Sequence, residues 1–363
     1  MHSKKDTQTP SPSSSNSLDP IYKSVFSSPS SYISKPSTQR KLLVLDLNGT
    51  LLFRPHRKSK AKGTTTDGQG QGHRVVHVRP YMPSFKQYLF HERTREWLDT
   101  MVWSSAQPHN VGDMVRRAFG SDNGLKAVWA RDTLDLDPKF YHKKTVTIKD
   151  LSKIWKTFPS HSARTTLLVD DSTQKARLQP WNHIYIKEYG QVERREDMMV
   201  KALRKESRGQ ARAEDPLKSL PAMLSSVDIS SSPSSKIPTS ASQNAVHAKT
   251  SLNPPASSYT TSSGFDSTLL AIIGILDTIK HQDNVSAWLR NGGIVLCGAD
   301  VEFSTSTGRG GMIGDRWFDT VHIVNWWAEK GRKTLKELGI EEDDGLGGSV
   351  ERPNGILYRH THG

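Results

Sequence analysis

The stretch KLLVLDLNGTLL, Lys41 to Leu52, is an apolar run that delivers Asp46 and then turns through Asn48, Gly49 and Thr50. Leu42 to Leu45 is too uniformly apolar for a strand with one wet face, and it predicts a central strand of a parallel sheet covered on both sides. Asp46 falls at the carboxyl end of that strand, and open α/β sheets bind their ligands outside those ends. Two further apolar runs end in the same manner. Thr100 to Trp103 runs into Ser104, Ser105 and Ala106, and Thr165 to Val169 runs into Asp170, Asp171 and Ser172. Shorter strands are expected at Val75 to Val78 and at Trp129 with Ala130, and an edge strand at Ile184 to Ile186.

Helical patterns lie between these strands. Arg79, Pro80 and Pro83 open a helix carrying Phe85 and Leu89, and Val111, Met114, Val115, Ala118 and Phe119 recur at helical spacing before Gly120. Asp150 caps a third helix whose apolar face is Leu151, Ile154, Trp155 and Phe158, with Lys149 at its entrance. In a parallel sheet the carboxyl ends gather on one edge, so Asp46, Ser104, Asp170 and Asp171 meet there, with Lys149 contributed between the second and third strands. The set suits phosphoryl transfer: a carboxylate nucleophile able to form an aspartyl-phosphate, a hydroxyl and an ammonium for the phosphoryl oxygens, and carboxylates for Mg²⁺. Taken alone, an Asp pair after a strand often does no more than cap the next helix. Four such elements in this order argue for chemistry.

At 363 residues, 34% of them hydrophobic, the chain is long enough for one large domain or two small ones, with part of it unpacked. The single cysteine, Cys297, excludes an internal disulfide framework and a cysteine-rich zinc site. No window approaches the roughly 18 apolar residues of a membrane span, and no secretory signal is visible. The expected setting is therefore intracellular, nuclear or cytoplasmic, with the mitochondrion as an alternative. A net charge of +13 favours acidic partners. The basic helix Glu193 to Arg212 has acidic residues interspersed and no alternating aromatics, so no specific nucleic-acid site is evident.

Asp46-Leu47-Asn48-Gly49-Thr50, Trp103-Ser104-Ser105-Ala106, Lys149-Asp150-Leu151 and Asp170-Asp171-Ser172 resemble the four motifs of the haloacid dehalogenase superfamily. The branch they most resemble is that of the RNA polymerase II C-terminal-domain phosphatases and their NLI-interacting-factor-like relatives. Arg79-Pro80 and Trp181-Asn182 also look like that branch. The resemblance implies an α/β three-layer sandwich around a parallel sheet, and a Mg²⁺-dependent phosphatase acting on phosphoserine or phosphothreonine in proteins. It makes Asp46 the nucleophile and a Mg²⁺ ligand, with Ser104 and Lys149 on the transferring phosphoryl group and Thr50 supporting the loop. Asp170 and Asp171 complete the metal site, together with the backbone carbonyl of Asn48.

The departure from the pattern is Asn48. Active members of the branch carry aspartate there as general acid and base, a role an amide cannot fill. Loss of such a group typically costs about 10²- to 10⁴-fold in rate. Three outcomes are open: a slow phosphatase, an enzyme with another acid, or a silent fold kept for binding. The last has a precedent in the presequence receptor of the mitochondrial inner-membrane translocase, which shares the domain.

Outside residues 39–204, which hold the expected phosphatase-like domain, the chain reads in four pieces. Residues 1–38 and 205–263 are Ser- and Pro-rich and are expected to be a disordered tail and a disordered insertion. Residues 264–291 supply closing helices of the same domain, with an amphipathic stripe of Leu269, Ile272, Ile273, Leu276 and Ile279 behind a capping Asp266. Residues 292–363 form an extension with a tryptophan-containing helix from Asp315 to about Leu338, expected to pack back on the domain or dock a protein partner. Arg54, Arg57 and Lys58 begin a basic loop beside the site, suited to an anionic substrate or equally to a solvated insertion.

Overall fold

The computed structural model describes residues 18–55, 75–121, 124–213, 264–298 and 316–346. In chain order the first elements are helix α1 (Pro20–Ser27), strands β1 (Lys41–Leu45), β2 (Leu52–Phe53) and β3 (His77–Val78), and helices α2 (Met82–Phe90) and α3 (Glu92–Arg95). Then come β4 (Leu98–Trp103), α4 (Pro108–Phe119), β5 (Ala127–Trp129), α5 (Leu151–Thr157), β6 (Thr166–Asp170), β7 (His183–Tyr185) and α6 (Gln191–Ala213). The last are α7 (Thr268–Ile279), α8 (Val285–Arg290), α9 (Gly293–Gly298) and α10 (Val321–Glu337). Two compact units are formed, one of residues 1–201 with 264–363 and one of residues 202–263.

The sheet has the order β5-β4-β1-β6-β7, and every pairing in it is parallel. β1 lies at its centre and all five of its residues are buried. Successive side chains of a strand point to opposite faces. Leu43 and Leu45 accordingly enter the core formed with α2, α4, α7 and α10, whereas Leu42 and Val44 enter the core formed with α5. This is the three-layer α/β sandwich expected from the uniform apolar run. The expected strand at Val75 to Val78 shortens to β3, which pairs antiparallel with β2 outside the main sheet.

Part of the expected tail is structured. Asp19 accepts hydrogen bonds from the Ile21 and Tyr22 amides and starts α1. Tyr22 and Phe26 are buried beside Ala163, and the Trp181 amide donates to the Tyr22 hydroxyl at 2.9 Å. Two aromatic anchors one helical turn apart suffice to order residues that composition alone assigns to a disordered tail. Residues 1–17 lie outside the described residues. The expected insertion also begins later than residue 205, because α6 continues to Ala213; residues 214–263 lie outside the described residues.

The closing helix α7 differs from its expected amphipathic form. Leu269, Leu270, Ala271, Ile272, Ile273, Gly274, Ile275 and Leu276 are all buried, so the helix is enclosed on every side. Its outer cover is α10, part of the segment expected as an extension. The two helices meet at Gly274 and Gly331: a Cβ on Gly331 would lie 2.0 Å from the Leu270 carbonyl oxygen, and one on Gly274 2.2 Å from that of Trp327. Only hydrogen side chains permit this approach. α10 begins at Val321, after a short 3-10 turn at Trp317–Asp319, and ends before Gly339, whose φ is 70°.

Candidate active site

The register of the sheet assembles the site. Leu45 pairs with Val102 on one side and with Val169 on the other, so Asp46, Ser104 and Asp170 leave the same edge of three adjacent strands. The Asp46 amide donates to the Val169 carbonyl at 3.0 Å and continues the ladder by one residue. Asp46, Ser104, Asp170 and Lys149 are buried, and the Ser104 hydroxyl accepts from the Ala106 amide at 3.3 Å.

After Asp46 the chain turns sharply. The amides of Thr50, Leu51 and Leu52 all donate to the Leu47 carbonyl, and Gly49 has a φ of 89°. A Cβ at Gly49 would lie 2.4 Å from an oxygen of Asp171, so glycine serves here for both backbone conformation and space. The Thr50 hydroxyl lies 3.4 Å from Asp171 Oδ1. Asn48 is exposed, and its Oδ1 accepts from the Arg54 amide at 3.0 Å, which closes the loop onto β2.

Charge is arranged with the same economy. Lys149 Nζ lies 2.6 Å from Asp170 Oδ2 and 3.0 Å from Asp46 Oδ1. Asp46, Asp170 and Asp171 offer oxygen atoms within 4.8 Å of one another, a set that could hold a metal ion. Burial acts to raise the Asp170 carboxyl, but Lys149 and Lys175 overcome it and hold the group below the usual carboxylate range. Asp171 goes the other way: burial, reinforced by Asp46 and Asp170 against the opposing pull of Lys175, pushes it up to about 7.

Of the expected site residues, Asp46, Thr50, Lys149, Asp170 and Asp171 are joined by direct contacts, and Ser104 lies at the same sheet edge. Asn48 stands at the rim and Arg54 follows from the turn. Arg57 and Lys58 lie outside the described residues.

Two residues carry more than the sequence reading gave them: Lys175, which it did not name, and Arg79, which it read only as the start of a helix and as part of the resemblance. Lys175 sits among all three carboxylates, at 2.7 Å from Asp46, 2.9 Å from Asp170 and 3.3 Å from Asp171. Its place in the polar run Ser-Thr-Gln-Lys gave no periodic signal; the only clue was its position four residues after Asp171. Arg79 is fully buried and donates to the Thr50 carbonyl at 2.9 Å, to Asp266 at 2.8 and 3.1 Å, to the Lys187 carbonyl and to the Thr268 hydroxyl. It ties the turn after Asp46 to the entrance of α7.

Residues 41–215 match the family described as NLI interacting factor-like phosphatase. The chain is also similar to an uncharacterized FCP1 homology domain-containing protein of Schizosaccharomyces pombe, 31% identical over 160 residues, which are 41% of this chain and 62% of that protein. Among solved structures, Fcp1, an essential RNA polymerase II CTD phosphatase, aligns with a TM-score of 0.29 and 13% identity over 42% of each chain. A variant of fission yeast Fcp1 bound to beryllium fluoride aligns with a TM-score of 0.27 and 14% identity, again over 42% of each chain. These superpositions are too slight to add to the fold seen in the chain itself, and each match spans less than two thirds of the relative's own length. Among the described residues no helix is long and apolar enough to cross a membrane.

Proposed function

We propose that the NLI interacting factor-like segment is a Mg²⁺-dependent phosphatase of the aspartyl-phosphate type, acting on phosphoserine or phosphothreonine in proteins and slowed by Asn48. The observation that carries this reading is a buried carboxylate, Asp46, held by two ammonium groups at the carboxyl edge of the sheet beside Asp170 and Asp171. In this reading an Asp46 oxygen attacks phosphorus, the bond from phosphorus to the substrate oxygen breaks, and the alkoxide departs. Water then attacks the phosphorus of the acyl phosphate, releasing inorganic phosphate and restoring the carboxylate. Ser104 and Lys149 contact the phosphoryl oxygens, and Arg54, Arg57 and Lys58 favour an anionic substrate. The carboxylates of Asp46, Asp170 and Asp171, with the Asn48 carbonyl, are an all-oxygen set of the kind Mg²⁺ selects. When bound, Mg²⁺ would offset the negative charge that gathers on the phosphoryl oxygens.

An amide at position 48 neither gives a proton to the leaving alkoxide nor takes one from water, so solvent must do both. Its oxygen is already engaged by the Arg54 amide. The same feature favours a second reading, a catalytically silent domain that binds a phosphorylated partner. For the enzyme we assign a nuclear or cytoplasmic setting. Mg²⁺-dependent hydrolysis of an aryl phosphate and of a phosphoserine peptide, measured for the native chain, Asp46→Asn and Asn48→Asp, separates the readings. The enzyme reading expects turnover that is abolished by Asp46→Asn and raised about 10²-fold or more by Asn48→Asp, most on the peptide, whose alkoxide needs the proton. Turnover appearing only in Asn48→Asp transfers the conclusion to the silent domain, and none in any of the three sinks the site assignment.

A further inference from the structure

The geometry points to Lys175 as a tethered counter-ion that occupies the metal position of the carboxylate triad and must be displaced before a divalent cation binds. The inference rests on the proposed Mg²⁺ site and gives that site its regulation. An ammonium group has three N–H donors and no acceptor. Lys175 Nζ places one carboxylate at each: Asp46 Oδ2 at 2.7 Å, Asp170 Oδ1 at 2.9 Å and Asp171 Oδ1 at 3.3 Å. These are the three residues whose oxygens lie within 4.8 Å of one another, so one position at their centre serves either cation. Mg²⁺ requires oxygens at about 2.0–2.1 Å in an octahedral set. Both cations cannot be accommodated, and two such charges would repel at this separation.

The tether is short and firmly held. The Lys175 amide donates to the Ser172 carbonyl, and its own carbonyl accepts from the Lys149 amide at 2.8 Å. The backbone of Lys175 thus positions the lysine that contacts Asp46 and Asp170, while its side chain neutralises the same carboxylates. The two lysines are not equivalent: Lys149 has a fully buried side chain, whereas that of Lys175 is 17% exposed and has a way out to solvent. Withdrawal of Lys175 alone opens the triad and leaves Lys149 in place for the phosphoryl group. The three carboxylates are thus faced by two ammonium groups, and binding a metal among them costs the three contacts of Lys175.

The test is Mg²⁺ binding by isothermal titration calorimetry to the full chain and to Lys175→Met, which keeps an unbranched side chain one atom shorter and removes its charge. The expected result is Mg²⁺ affinity at least about tenfold tighter in Lys175→Met, because a competing unit charge at hydrogen-bond distance is gone. Its melting temperature without metal should fall below that of the native chain and be restored by Mg²⁺. Equal affinity in the two proteins overturns the inference and leaves the Mg²⁺ site standing. Weaker Mg²⁺ binding in Lys175→Met, or unchanged Mg²⁺ binding with lost affinity for inorganic phosphate, also overturns it and makes Lys175 a phosphoryl contact. No binding to either protein removes the metal site and this inference together. Should Lys175→Met fail to fold, reductive methylation of the native chain decides. Labelling of Lys175 that rises with added Mg²⁺ supports displacement, and labelling unmoved by Mg²⁺ refutes it.

Discussion

The carboxyl edge of the sheet and the crossing of α7 with α10 are both tightly packed, and they are specified in opposite ways. At the sheet edge, three carboxylates and two ammonium groups fill the space, and position is set by charge and by the donors each group has to satisfy. At the helix crossing nothing fills the space: Gly274 and Gly331 let backbone meet backbone. A site made of charge tolerates a change of volume better than a change of sign, whereas a contact made of absent side chains tolerates neither bulk nor the loss of its neighbour. Arg79 belongs to both regions, since it holds the turn after Asp46 and the residue that opens α7.

Removing that connection should have the largest effect. Arg79→Leu leaves Asp266 without its guanidinium, and loss of one partner of a buried pair costs about 3–5 kcal/mol. Denaturant unfolding should show a loss of that size, and a loss below about 1 kcal/mol would mean that the two regions are held independently. Gly331→Ala tests the crossing alone. Its methyl would meet the Leu270 carbonyl at 2.0 Å, so α10 must move off α7, at a cost of about 1–3 kcal/mol despite the better helix propensity of alanine.

What was legible in the sequence follows this division. Strands ending in Asp46, Ser104 and Asp170 could be read because an apolar run with a polar terminus is a local pattern. Lys149 could be read from its place before the capping Asp150, and the family motifs then supplied its role. Lys175 stood in a polar run beside Asp170 and Asp171, five and four residues away, and only the parallel register reveals that Asp46, 129 residues away, completes its set of partners. The helix crossing was illegible for the same reason. Gly274 inside an apolar helix and Gly331 inside a polar one carry no mark of each other, and without α10 the helix α7 reads as one-sided. α1 was hidden by composition, because its two anchors sit in a Ser- and Pro-rich segment.

Smaller effects sharpen the comparison. Asp197 joins the regions from the other side, accepting from the Tyr189 hydroxyl at 2.8 Å and from the Asp266 amide at 3.0 Å. Burial, with Asp266 adding to it, raises its carboxyl to about 6, so the folded chain holds this proton more tightly than the unfolded chain does. Its contribution to stability is therefore fully present below about pH 4 and is lost as pH rises through about 6. Asp197→Asn should flatten that part of the profile by about 1 kcal/mol, measured as unfolding free energy at pH 4 and pH 7. The smallest change has the opposite sign. Gly112 in α4 has open space where a Cβ would stand, so Gly112→Ala should stabilise the fold by up to about 1 kcal/mol, against the loss from the same substitution at Gly331.

The hydrogen bond from the Asp266 amide to Asp197 has one more consequence. Two residues 69 positions apart, one on α6 and one at the entrance of α7, are thereby clasped at a single point. Closing a loop whose ends already touch costs only about 0.6 kcal/mol more for each doubling of its length. Lengthening the chain between the two clasped residues therefore adds little to the entropic cost of bringing them together.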